Sequence, residues 1–283
     1  MDLDSLFSKT SKNKANGDIP ESRILSYDRI LVNLPLVYGF DHSLCQHDFV
    51  LANDPGIQVA HRLREGEIEI GLIPAVEYAR RKEIWNIVPG LAISAAGALK
   101  NVQLYFKKGL KEISSVAIDK NATQEEILLK ILMREKYTMS PDYIRMQPEL
   151  DAMLLKADAA LLVGDAALKY HSSNRNRLDL GEEWYDMTSL PYVLSFWAGR
   201  QFTIRTADVA SIKKSYELGA RNLMPISKKY AEDHSEHWGL YHDMLTKDLS
   251  YTFNEDVKDG LIEFYNYAFY FGHIAHIPDF HYY

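Results

Sequence analysis

The sequence predicts an α/β chain folded as two lobes, with a cleft between two mainly parallel sheets. Three observations carry this. Short apolar runs alternate with segments of helical spacing as far as Lys82, the signature of parallel βα units. Two successive strand-like runs then break the alternation, and a second βα series follows. A second break leads into a run of helices. Interrupting one parallel sheet with another brings the strand carboxyl ends of both to a shared cleft, where ligands sit in open α/β sheets. The plan is that of a two-lobed binding protein. Residues 23–107 and 198–283 are expected to form the first lobe, with 108–197 inserted as the second.

In order, Arg23–Asn33 reads as one or two strands and Leu34–Phe40 as a short helix. Phe49–Asn53 is a strand. Gly56–Glu65 places Ile57, Val59, Ala60 and Leu63 at helical spacing. Ile68–Ile73 is a strand and Val76–Lys82 a helix. The first break comprises strands at Ile87–Ser94 and Asn101–Lys107. The second series runs strand Ser115–Asp119, helix Thr123–Lys136, strand Tyr143–Gln147, helix Glu149–Lys156 and strand Ala159–Val163. Leu190–Trp197 is β-rich without strict alternation, as expected of a strand buried on both faces. Helices follow at Ala207–Ala220, Ile226–His234, His237–Lys247 and Glu255–Gly272.

Composition narrows the function classes. The 283 residues are 47% hydrophobic and carry a formal net charge of −7, which argues against nonspecific nucleic-acid binding. Residues 1–22 are polar and Lys-rich and read as a mobile tail without a secretory h-region. No stretch has the roughly 18–20 apolar residues of a membrane span. The lone Cys45 excludes an intramolecular disulfide and suits a reducing compartment. A cytoplasmic protein is expected.

Several segments together resemble the menaquinone-biosynthesis family of the futalosine pathway, chorismate dehydratase-like. They are Pro35–Phe40 (PLVYGF), Gly66–Arg80 (GEIEIGLIPAVEYAR), Ala160–Leu168 (ALLVGDAAL), Asp179–Trp184 (DLGEEW), Leu190–Arg200 (LPYVLSFWAGR) and the final helical stretch from Tyr251. No single motif is specific; their order and spacing are. The resemblance implies a type 2 periplasmic-binding-protein-like fold acting in the cytoplasm. It implies that chorismate loses water to give 3-enolpyruvyl benzoate, with a small aromatic or cyclohexadiene carboxylate as ligand. On this reading Ser94 orients the leaving hydroxyl and Asn33 serves with it as a catalytic residue. Gly97, Asn121, Thr123, Gln124, Gly164 and Asp165 bind ligand, and residues 121–124 present backbone N–H groups to a carboxylate.

The departures share a direction. Aligned on Pro35, the family's Asn falls on Val32, and Asn33 lies one residue later. A Ser-Ser-Asp-Gly loop reads Ser94–Ala95–Ala96–Gly97. A Ser/Thr-rich loop reads Asn121–Ala122–Thr123–Gln124–Glu125, where Thr123 and Glu126 have capping-box spacing. Pro74–Ala75 stand where many members carry serine. Two readings stay open: an active enzyme with a remodelled cleft, or a non-catalytic member with a less polar cleft that binds another small ligand or a partner.

The remaining motifs carry less. His234, His237, His242, His273, His276 and His281 read as surface histidines rather than a metal site. Glu182–Glu183 read as a solvated turn, and Lys107–Lys108 and Arg80–Arg81–Lys82 as solvated faces. The aromatic run Phe264–Phe271 reads mainly as lobe packing, with a homodimer or protein contact as the alternative. No Gly-rich phosphate loop, CxxC or HExxH is present, and no metal or cofactor is expected.

Overall fold

The computed structural model describes residues 23–283, so the expected tail at 1–22 lies outside the described residues. The elements run β1 (Arg23–Tyr27), α1 (Leu34–Asp41), β2 (Phe49–Asn53), α2 (Gly56–Glu65), β3 (Ile70–Pro74), α3 (Ala75–Ala79), β4 (Trp85–Ala95) and β5 (Val102–Phe106). The second series is β6 (Ser115–Asp119), α4 (Gln124–Glu135), β7 (Asp142–Met146), α5 (Leu150–Lys156), β8 (Ala159–Val163) and α6 (Asp165–Leu168). Then come β9 (Arg177–Asp179), α7 (Leu180–Thr188), β10 (Tyr192–Arg200), α8 (Thr206–Ala220), α9 (Leu223–Asp233), α10 (Trp238–Asp243), β11 (Leu249–Thr252) and α11 (Glu255–Tyr270).

Two sheets form. The first has the order β11-β4-β10-β3-β1-β2 and the second β7-β6-β8-β5-β9. Each has a parallel half built from its βα units: β2-β1-β3 in the first, β7-β6-β8 in the second. Each is completed by antiparallel strands, namely β10, β4 and β11 in the first and β5 and β9 in the second. The sheets are therefore mixed. A strand arriving from the other lobe needs no right-handed helical crossover, so it is free to enter antiparallel.

The lobe boundaries differ from those expected. Strand β5, placed in the first lobe by sequence, pairs with β8 and β9 of the second sheet. Strand β10, mostly placed in the second, pairs with β3 and β4 of the first. The chain crosses at 96–101 and again around α7. Hydrophobicity alone does not distinguish a strand that ends one lobe from one that begins the next.

Asp179 anchors the second sheet to the crossing loop. Its carboxylate accepts from Leu99 N (2.9 Å), Lys100 N (2.7 Å), Gln103 Nε2 (2.5 Å) and Gly181 N (2.9 Å). It caps α7 in doing so, and this is why Glu182–Glu183 lie in a helix rather than the expected turn. The buried Trp184 of α7 packs edge-on against Tyr192 of β10 and Phe264 of α11, at centroid distances of 6.0 and 6.2 Å. Within the aromatic run, Phe264 and Tyr265 are core residues, whereas Tyr270 is 77% exposed.

Gln124 joins the two lobes directly. It begins α4 and is buried, and its Oε1 accepts from Val76 N of α3 at 2.7 Å. Its Nε2 donates to Val193 O of β10 at 2.8 Å. The pairing register of β10 shifts between Val193 and Ser195, and the first-turn amide of α3 has no helical partner. One side chain thus satisfies backbone groups left over by a β-irregularity and a helix start. Gln124→Ala is expected to lower unfolding stability by about 2–3 kcal/mol, because buried N–H and C=O groups lose their partners. Urea unfolding measures this, and a loss below about 0.5 kcal/mol would contradict the assignment.

Candidate functional site

A cavity of about 510 Å³ lies between the sheets. The carboxyl ends of the parallel strands converge on it: Asp28 follows β1, Pro74 ends β3, Lys120 and Asn121 follow β6, and Gly164 follows β8. Leu194 and Ser195 of β10 and Asn101 beside β5 complete the wall. The position obeys the general rule for ligand sites in open α/β sheets.

Of the residues expected from sequence, Asn33, Asn121, Thr123, Gly164 and Asp165 line this cavity, and Ser94, Gly97 and Gln124 do not. Asn33 reaches it because residues 31–33 form a short 3-10 turn ahead of α1. Its Nδ2 donates to Asp28 O at 3.0 Å, and its Oδ1 has no partner. Ser94 is buried within β4, with Val193 and Ser250 opposite it. Strand β10 is interposed between β3 and β4, so Ser195 rather than Ser94 stands at the cavity. Gly97 belongs to the crossing loop, and its carbonyl oxygen would lie only 2.4 Å from a Cβ on Gly181. Gln124 is the inter-lobe clamp.

The start of α4 also differs from expectation. Thr123 makes no side-chain cap, and Glu126 pairs with Lys130 and Arg145 rather than completing a capping box. The Thr123 amide is instead taken by Glu125 Oε2 at 3.2 Å. The Asn121 amide is taken by Asp119 Oδ1 at 2.9 Å. The chain's own carboxylates thus occupy amides that were expected to serve a ligand carboxylate.

Asp165 follows Gly164, whose φ of 59° suits a residue without Cβ. Its carboxylate accepts from the Tyr230 hydroxyl and lies 3.4 Å from His234 Nε2. His234 Nδ1 is 2.8 Å from Tyr230 O, and the two rings stack at 3.8 Å. This cluster ties the second lobe to α9 across the mouth of the cleft. His237 caps α10 through Gly239 N. Among the described residues, no group of three His, Cys, Asp or Glu side chains is placed to hold a metal.

The sequence reading missed Asp28, Asn101, Glu125 and Ser195. Asp28 had a usable signal, since it directly follows a strand in a βα unit. Ser195 had another, as a polar residue inside an otherwise buried run. Burial pushes the Asp28 carboxyl above its usual range, helped by the nearby Asp165 and Asp54 charges and opposed by a hydrogen bond from Gly56 N. Burial also raises the Glu125 carboxyl. The basic residues at the cavity are Lys120 and Arg145, both exposed, and Arg145 is engaged by Glu126.

The comparisons with known proteins agree on fold and family. A family model described as menaquinone biosynthesis matches residues 30–270. A chorismate dehydratase of Thermus thermophilus is 26% identical over 155 residues, which is 49% of this chain. The chain spans 57% of the length of that curated relative. A solved Archaeoglobus fulgidus protein superposes with a TM-score of 0.70 at 17% identity, covering 90% of this chain and 100% of that one. The periplasmic aliphatic sulphonate binding protein of Escherichia coli gives 0.66 at 14% identity, covering 92% and 96%. A Candida albicans protein described as having the generic periplasmic binding protein fold gives 0.62 at 10% identity, covering 91% and 92%. The fold is that of the periplasmic binding proteins.

A carboxyl whose pKa is raised by folding destabilises the folded state above that pKa, and the penalty disappears as pH falls through the folded and then the unfolded value. Asp28→Asn is therefore expected to be more stable than the parent at pH 7, with the difference vanishing near pH 3. Urea unfolding at the two pH values tests this. A parent that is the more stable at pH 7 would show that the Asp28 charge is favourably paired.

Proposed function

The chain belongs to the menaquinone-biosynthesis family, and from that premise we propose that its cleft binds a small ring compound carrying less negative charge than chorismate. One observation carries this reading: three carboxylates, Asp28, Glu125 and Asp165, line the cavity. A dianion placed there meets like charge, and the Asn121 and Thr123 amides ahead of α4 are already used. Each carboxylate left unpaired costs on the order of 1–3 kcal/mol of affinity or more. The volume, about 510 Å³, suits a ligand of one or two rings. Family membership and a lone cysteine fit action in the cytoplasm.

The second reading is dehydration of chorismate to 3-enolpyruvyl benzoate, favoured by the relative named chorismate dehydratase. In that reaction the ring hydroxyl leaves with a proton and a neighbouring ring proton is lost. A carboxyl with a raised pKa, at Asp28 or Glu125, is suited to protonating the leaving hydroxyl. Asn33 would orient it, and Lys120 and Arg145 at the rim would face the substrate carboxylates. Ser94 is not among the cavity-lining residues and is given no role in this reading.

One assay separates the two. Purified protein is mixed with chorismate, formation of the enolpyruvyl benzoate is followed by chromatography, and thermal shift is recorded with chorismate. The expected result is no turnover and no shift at millimolar chorismate. Turnover would install the dehydratase reading, and Asn33→Ala should then slow it by about tenfold or more.

A further inference from the structure

The hydrogen-bonding character of the cavity wall specifies its ligand more narrowly than charge count alone. Asn33 is 5% exposed, and its Oδ1 has no partner although its Nδ2 is bonded to Asp28 O. That bond fixes which end of the amide is free, and the free end is an acceptor. Ionised carboxylates are acceptors only, so Asp28, Glu125 and Asp165 extend the same pattern. The hydrogen bond from Gly56 N to the Asp28 carboxylate is long at 3.3 Å. Asn101 and Ser195, 6% and 9% exposed, each bring a further unpartnered polar atom to the wall. A buried acceptor without a donor, as at Asn33 Oδ1, is costly, and partial burial has raised the Asp28 and Glu125 carboxyls. An occupant that supplies N–H donors and positive charge relieves both costs.

We propose that the cleft selects a ring compound bearing a protonated amine or amidine, held by Asp28 and Glu125 with the Asn33 carbonyl as an additional acceptor. The inference rests on the reading of this cleft as a small-ligand site and deepens it. The rim cations do not oppose it: Arg145 is engaged by Glu126, and Lys120 is exposed to solvent. Apolar groups in the wall, Ile30, Val32, Leu72, Val163 and Leu194, face the ring.

The test uses three probes of one shape and different charge: benzylamine, benzyl alcohol and benzoate. Binding to the full chain at pH 7 is followed by amide chemical shifts of Gly56 and Gly164, which line the cavity. Benzylamine is expected to bind at least about tenfold more tightly than benzoate, equivalent to 1.4 kcal/mol, with benzyl alcohol between them. Glu125→Gln and Asp28→Asn should each weaken benzylamine by about tenfold and benzyl alcohol by clearly less. Benzyl alcohol or benzoate binding as tightly as benzylamine would overturn the cationic preference while leaving the cleft as the ligand site. Unchanged benzylamine affinity in both variants would overturn it in the same way. If no probe moves either glycine at millimolar concentration, the cleft itself is not the site and both readings fall.

Discussion

A buried amide side chain holds the two halves of this protein in register. Gln124, at the start of the second lobe's first helix, hydrogen-bonds an amide of α3 and a carbonyl of β10, both in the first lobe. Each of those backbone groups would otherwise be a buried orphan. The arrangement sets α4's amino terminus against the first sheet, and with it the loops that follow β6 and β8. Asp179 does comparable work from the other side, collecting amides from the crossing loop and the start of α7 on one carboxylate. With both crossings pinned, the strand ends of the two sheets face one another and the cavity follows.

What the cavity contains is set by this closeness. A helix start that elsewhere invites an anion is here supplied with the chain's own carboxylates, Glu125 on Thr123 and Asp119 on Asn121. Asp165, which enters the same space, is drawn toward Tyr230 and His234 of the first lobe. The mouth of the cleft is thus bridged by an acid held between an aromatic hydroxyl and an imidazole. Asp28, Glu125 and Asp165 line this space, and the Asn121 and Thr123 amides are turned to carboxylates of the chain itself.

The elements themselves were largely legible. Strands Phe49–Asn53, Ser115–Asp119 and Ala159–Val163 and helix Gly56–Glu65 have the bounds that periodicity gives them. Their patterns are local, and local propensity and burial agree. Less legible were β9, β11 and α7. Strands β9 and β11 are short edge strands, and α7 owes its start to the side chain of Asp179 and its anchoring to Trp184. Ser94 shows the limit of strand-end reasoning. It lies near the carboxyl end of β4, as expected of a site residue, but a strand from far along the chain inserts between β4 and the cavity.

By itself the sequence determined the βα units, the two-lobed plan and the family, because hydrophobic spacing and short ordered motifs are properties of contiguous residues. The tertiary structure alone decided which lobe owns β5 and β10, that Gln124 is a clamp, and that Asp28, Glu125 and Asp165 share one cavity. Those outcomes depend on which backbone groups are left unpaired when two sheets meet, and that is settled only by contacts between residues distant in the chain.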